Sequence, residues 1–187
     1  MTTIDDLWYL ADEADQQAHQ TYHRLRERHA GFTEFETTKR VSRRRFRTVA
    51  ARIRDNGAPY GAHTLVYRPG GHLLLVRHDG VDMWVLPGGE TQDGERFREA
   101  AERELGEEAG LEASYKGLGM LGRVDFFTDN HATWGVLPIF EAVAEDEPSV
   151  HDPDGEISDA RWFGTLPEDT RDREQLVAWR DRRFGTE

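Results

Sequence analysis

The stretch Gly89 to Leu111 reads GETQDGERFREAAERELGEEAGL, and its second half decides the fold. Phe97, Ala101 and Leu105 recur every four residues, which places them on one apolar stripe of a helix. The pattern predicts a helix from about Gly94 to Ala109, stopped by Gly110 in a left-handed conformation, with apolar Leu111 after it. Glu104, Glu107 and Glu108 stand at i, i+3 and i+4, so their carboxylates project from one face and crowd each other. Three like charges so placed repel. A hard divalent cation such as Mg²⁺ or Mn²⁺, which prefers carboxylate and water oxygens, would offset them. The plainer reading is a solvated acidic helix face.

Working outward, Trp84-Val85-Leu86-Pro87-Gly88-Gly89 leads into the stretch, and two strand-like runs, Ala62–Tyr67 and His72–Arg77, flank the turn signal Pro69-Gly70-Gly71. Downstream, Leu118–Phe127 and Thr133–Val143 read as strands joined around Asp129-Asn130. Ile157–Phe163 reads as a short strand and Glu168–Phe184 as a closing helix. Strands on both sides of a central helix, with another helix at the end, predict an α/β fold: a mixed sheet covered on both faces. Before it, Ile4, Leu7, Trp8, Ala11, Ala14, Ala18, Tyr22 and Leu25 recur at helical spacing. A second helical pattern runs from Val41 through Phe46, Val49, Ala50 and Ile53, with Ser42 as N-cap and an end near Asn56-Gly57. Residues 1–57 are therefore expected to form a helical attachment, joined at Pro59 and Gly61 to a domain over 58–187.

The 187 residues contain no cysteine, which excludes disulfides, thiolate metal sites and cysteine nucleophiles. Met1 to Leu10 holds acids where a secretory signal needs a basic start, and no run is apolar enough for a membrane span. A cytoplasmic protein without membrane attachment is expected. Net charge is −12, and only Lys39 and Lys116 are lysine. Such an acidic, arginine-biased composition resembles that of halophilic cytoplasmic proteins.

Gly89, Glu95, Arg103, Glu104, Leu105, Glu107, Glu108, Gly110 and Leu111 together match Gly-x5-Glu-x7-Arg-Glu-aliphatic-x-Glu-Glu-x-Gly-aliphatic. This resembles the complete box of the Nudix hydrolase family, and the resemblance in order of elements extends over roughly Tyr60 to Phe184. It implies a Nudix-type α/β/α sandwich. It also implies a divalent-metal site built from Glu104, Glu107 and Glu108, joined by the Gly89 carbonyl and by the loop residue Glu156 ahead of Trp162. Arg103 is expected to partner Glu95 or to orient the metal-binding glutamates, and counts with Glu104, Glu107 and Glu108 as the catalytic group.

The reaction so implied is divalent-metal-dependent hydrolysis of a diphosphate linkage in a nucleoside diphosphate derivative or nucleoside triphosphate, a small-molecule nucleotide substrate. The alternatives are a nucleotide-sensing regulatory module on the same fold and an RNA 5′-end pyrophosphohydrolase. Arg77 and Arg123 are candidate phosphate contacts. Trp84 and Phe127, with Phe126, Trp134 and His131, are candidate rings for stacking a base. Between Gly122 and Asp129 there is neither proline nor tyrosine, so the family's markers for ADP-ribose and dinucleoside polyphosphate substrates are absent. Finally, Lys39 to Arg54 holds eight basic residues and no acid. The acidic first helix, with Asp5, Asp6, Asp12, Glu13 and Asp15, is the expected partner within the chain or across a homodimer. Nucleic acid is not expected as a partner, since no recognition motif is present.

Overall fold

The computed structural model describes residues 3–185, with side chains from Asp6 onward; those of Ile4 and Asp5 lie outside the described residues. In chain order the elements are α1 (Thr3–Arg28), β1 (Thr33–Arg40), α2 (Arg43–Asn56), β2 (Ala62–Tyr67), β3 (Leu73–His78), β4 (Met83–Val85) and β5 (Gly88–Gly89). They continue with α3 (Phe97–Ala109), β6 (Ser114–Thr128), β7 (His131–Val143), β8 (Ile157–Phe163) and α4 (Arg173–Phe184). The chain packs as two compact units, one of residues 1–61 with 120–138 and one of residues 62–119 with 139–187. None of the described helices is long and apolar enough to cross a membrane.

In the first unit, α1 buries Leu7, Leu10, Ala11, Ala14, Ala18 and Leu25, and α2 buries Phe46, Val49, Ala50 and Ile53. The Ser42 hydroxyl accepts the Arg45 N–H at 3.2 Å, so the expected N-cap is in place, and the helix ends at Gly57 in the left-handed region. The attachment is not wholly helical, however. Thr33–Arg40 forms β1, paired in parallel with β6 from Thr33↔Met120 to Arg40↔Phe127. Its sides alternate between half-buried and exposed, but the inward positions are Thr33, Phe35, Thr37 and Lys39. A stripe with one large apolar residue in four carries little hydrophobic period, which hides the strand from a pattern search.

In the second unit, β2 and β3 form the expected hairpin, paired at Tyr67↔Leu73. β2 pairs in parallel with β7, and β3 pairs antiparallel with β4 and β8, so the sheet is mixed. Val66 packs with Leu105 of α3, while its neighbour Tyr67 lies 5.5 Å from the Trp179 ring of α4. Successive strand residues face opposite ways, so the two helices cover opposite faces of the sheet, as an α/β/α sandwich requires. Leu74, Val76, Val85, Leu105, Ala109, Leu111 and Ile157 form the core under α3. Full burial of a leucine such as Leu105 contributes about 2 kcal/mol, and this stripe fixes which way the other side of α3 faces.

Two helix starts differ from the sequence reading. α3 opens at Phe97, because the Gln92 and Glu95 backbones form a tight turn, with Glu95 N–H donating to Gln92 O at 3.0 Å, and because the Glu99 carboxylate caps the Arg96 N–H at 2.8 Å. Phe97, in the first turn, is half-buried and not a core residue. α4 opens at Arg173, since the Thr170 hydroxyl and N–H both turn back to the Pro167 carbonyl.

Candidate active site

α3 ends against the glycine bend that precedes it. The Gly88 N–H donates to Glu108 Oε2 at 2.9 Å, and the Glu108 side chain is almost wholly shut from solvent, at 7% exposure. At Gly89, a Cβ would stand 2.7 Å from the carboxyl carbon of Glu104. The bend therefore lies directly on the acidic face of the helix, and a side chain there would collide with it.

Arg103 is the hub of the cluster. Its guanidinium forks onto Glu95 at 2.8 and 3.0 Å, reaches Glu104 at 2.8 Å and Glu107 at 3.3 Å, and donates to the Glu90 carbonyl at 2.9 Å. One planar group thus contacts Glu95, Glu104 and Glu107 at once. The hydrogen bond from Arg103 holds Glu95 below the usual carboxylate range. Burial raises Glu104 against the opposing pull of Arg103. Glu108 is pushed up to about 9, first by burial and then by the carboxylates of Glu104, Asp152 and Glu156, with the Gly88 N–H pulling the other way.

The loop before β8 thus joins the field of the helix. Glu156 is exposed, pairs with His78 Nε2 at 3.4 Å, and gives its carbonyl to the Asp79 N–H. Asp152 organises that loop by accepting the N–H groups of Glu156 and Ile157 at 2.6 and 2.8 Å. In the sequence the run Asp-Pro-Asp-Gly-Glu, a turn signal with an acid at its start, marks Asp152.

Among the described residues, no three carboxylate or imidazole groups already close into a metal cage. The donors nevertheless suit a hard divalent cation. Glu104, Glu107 and Glu108 offer carboxylate oxygens on one helical turn, Arg103 offsets two of them, and Glu104 and Glu108 are held above their ordinary pKa, the state that a nearby cation would reverse.

Arg77 and Trp84 stand together elsewhere in this unit. Arg77 pairs with Asp82 and Asp169 and lies 5.8 Å from the Trp84 ring, which itself packs on Phe163 at 4.8 Å. Arg123 and Phe127 belong to the first unit. Arg123 forks onto Asp125 at 3.0 Å and sits 4.1 Å over the buried Trp134 ring, Phe126 is fully buried, and Phe127 is 42% exposed. His131 packs near Phe46 at 6.1 Å.

Two outcomes follow from this geometry. Arg103→Lys keeps the charge but cannot bridge Glu95, Glu104 and Glu107 at once, so kcat should fall roughly 10- to 100-fold and the metal concentration for half-activity should rise, with little change in KM. Unchanged metal dependence in a titration would show that Arg103 only stiffens the fold. In metal-free protein, the proton that folded Glu108 retains is given up on unfolding at any pH between the ordinary carboxylate range and about 9. Its stabilising contribution is complete below that window and is lost as pH rises through it. Melting temperatures in chelator should therefore decline from pH 5 to pH 9 more steeply for the parent than for Glu108→Gln; parallel curves would contradict it.

The NUDIX domain family model matches residues 58–181. A protein of Bacillus subtilis (strain 168) named "Putative 8-oxo-dGTP diphosphatase" is 35% identical over 86 residues, 46% of this chain, and the chain spans only 58% of that relative's length. Among solved structures, the MutT NUDIX hydrolase of Burkholderia pseudomallei is 25% identical with a TM-score of 0.47, over 63% of this chain and 94% of that one. The MutT protein of Methanosarcina mazei Go1 is 20% identical with a TM-score of 0.48, over 66% and 93%. With the family model spanning well over half of the sequence, the chain belongs to the Nudix hydrolase family.

Proposed function

We propose that the chain is a pyrophosphohydrolase that uses Mg²⁺, or Mn²⁺ in its place, to cut a diphosphate linkage in a nucleoside diphosphate derivative or nucleoside triphosphate. The observation that carries this is the acidic turn of α3 pressed against a side-chain-free bend, with Arg103 holding two of its carboxylates in place. The bound cation would neutralise phosphate charge and lower the pKa of a water for attack on phosphorus. Glu104, Glu107 and Glu108 would hold it, with the Gly89 carbonyl and Glu156 as further oxygens. Arg103 is the positioning residue. A carboxylate of the cluster accepts the proton of the attacking water. We assign this activity to residues 58–187, with 1–57 as an attachment. Trp84, in the same unit as the acidic cluster, keeps ring surface for stacking a base. Arg77 and Arg123 would reach a phosphate only by giving up their carboxylate partners.

A panel of nucleoside triphosphates, 8-oxo-dGTP, nucleoside diphosphate sugars and a 5′-triphosphate RNA tests the reading by product analysis. Cleavage at a phosphoanhydride with Mg²⁺ or Mn²⁺ and none in chelator is expected. Cleavage indifferent to chelator, or none across the panel with either ion, would overturn it.

A further inference from the structure

We propose that the N-terminal ends of α1 and α2 form a self-complementary surface that pairs with a second copy of this chain. The proposal is independent of the hydrolase reading. Four large apolar side chains are exposed among the described residues, and three of them, Trp8 at 60%, Tyr9 at 63% and Phe127 at 42%, belong to the first unit. The two helices run side by side in parallel. Thr21 of α1 bonds the Asn56 carbonyl near the end of α2, while Ala11 and Phe46, earlier in each helix, both lie against the start of β7, at Thr133 and His131.

On α1, Trp8 and Asp12 form one i, i+4 strip and Tyr9 and Glu13 another, all exposed. Beside them, the first turn of α2 is Arg43-Arg44-Arg45 with Arg47 one turn on, and Arg40 precedes it, paired in register with exposed Phe127. Among the described residues, no carboxylate forms an ion pair with Arg40, Arg44, Arg45 or Arg47, and no base pairs with Asp6, Asp12 or Glu13. Arg43 and Arg52 of the same basic stretch are engaged, so the open charges are those of Arg40, Arg44, Arg45 and Arg47. Arg44 and Arg45 in the first turn oppose the helix dipole, and Arg44 repels Arg47 at i, i+3, so these charges are unfavourable until something acidic covers them.

The exposed N-terminal turns of the two helices thus carry an acidic strip with Trp8 and Tyr9 and a basic strip whose neighbour Arg40 faces Phe127 across the β1–β6 pairing. A two-fold axis between the strips lays α1 of one copy on α2 of the other, twice over, which is how an isologous interface closes. Trp, Tyr and Arg are the residue types that dominate binding energy in such contacts. Single-stranded nucleic acid would take the arginines and Phe127, but the acids around Trp8 and Tyr9 would repel its phosphates. A partner with both signs fits better.

Sedimentation of the full chain at roughly 100 μM, a concentration at which even a weak specific contact is populated, should show a dimer. Arg44→Glu with Arg47→Glu should sediment as a monomer, and so should Asp12→Arg with Glu13→Arg. Mixing these two variants should restore a dimer, since each supplies the charge that the other lacks. Trp8→Ala should weaken the parent dimer tenfold or more. Circular dichroism of these exposed-site variants checks that the helices persist. A monomeric parent, or a dimer indifferent to both reversals, would overturn the proposal. So would a monomer that binds a labelled single-stranded RNA through Arg44 and Arg47, which would assign the patch to nucleic acid.

Discussion

Glu107→Gln should turn over its nucleotide about three powers of ten more slowly than the parent, with the fold intact. A metal ligand contributes several kcal/mol of charge stabilisation in the transition state, and each ~1.4 kcal/mol is tenfold in rate. Against that, Glu107 contributes little to folding. Its side chain is half-buried and makes a 3.3 Å contact with Arg103, the longest in that cluster. Turnover at saturating Mg²⁺ and a melting curve separate the two effects. A melting point close to the parent's with near-complete loss of turnover is expected, and parent-like turnover would remove Glu107 from the reaction.

The glycine bend gives the second large effect, split between neighbours. At Gly88 an added Cβ would stand 2.5 Å from the Ala62 carbonyl and from the His63 ring, and the pairing of β5 with β2 leaves that backbone no room to retreat. Gly88→Ala should cost about 3 kcal/mol, at the upper end for overpacking, and lower the melting temperature by roughly 6–12 °C. It also lifts the N–H that holds Glu108. At Gly89 the nearest atoms are the carboxylate end of Glu104, which can swing away. Gly89→Ala should therefore melt near the parent temperature yet lose most of its activity, because moving Glu104 unmakes the cluster. Equal melting losses for the two variants would contradict the assignment of distinct roles.

Where the hydrophobic period is strong, the sequence reading and the fold agree. β2 and β8 have the expected bounds, β3, β6 and β7 shift by a few residues at their ends, and Gly110 caps α3 as its position predicts. β1 escaped because Thr37 and Lys39 face inward where a search looks for aliphatic side chains. The acidic turn was legible in its residue types, since helical spacing places Glu104, Glu107 and Glu108 on neighbouring positions of α3. What could not be read was allegiance among charges. Arg77, a candidate phosphate contact, is taken up by Asp82 and Asp169, the latter 92 residues along the chain. Asp152 illustrates the same limit, because its role in shaping the Glu156 loop depends on backbone N–H groups that side-chain spacing does not reveal.

The most direct measurement is an anomalous difference map from crystals of this protein soaked with Mn²⁺ and a non-hydrolysable nucleoside diphosphate analogue. Density for the metal beside Glu104, Glu107 and Glu108, with the diphosphate lying over Gly89, is the predicted result. Those three carboxylates pointing into solvent with no anomalous peak between them, while the nucleotide binds elsewhere, would contradict the account.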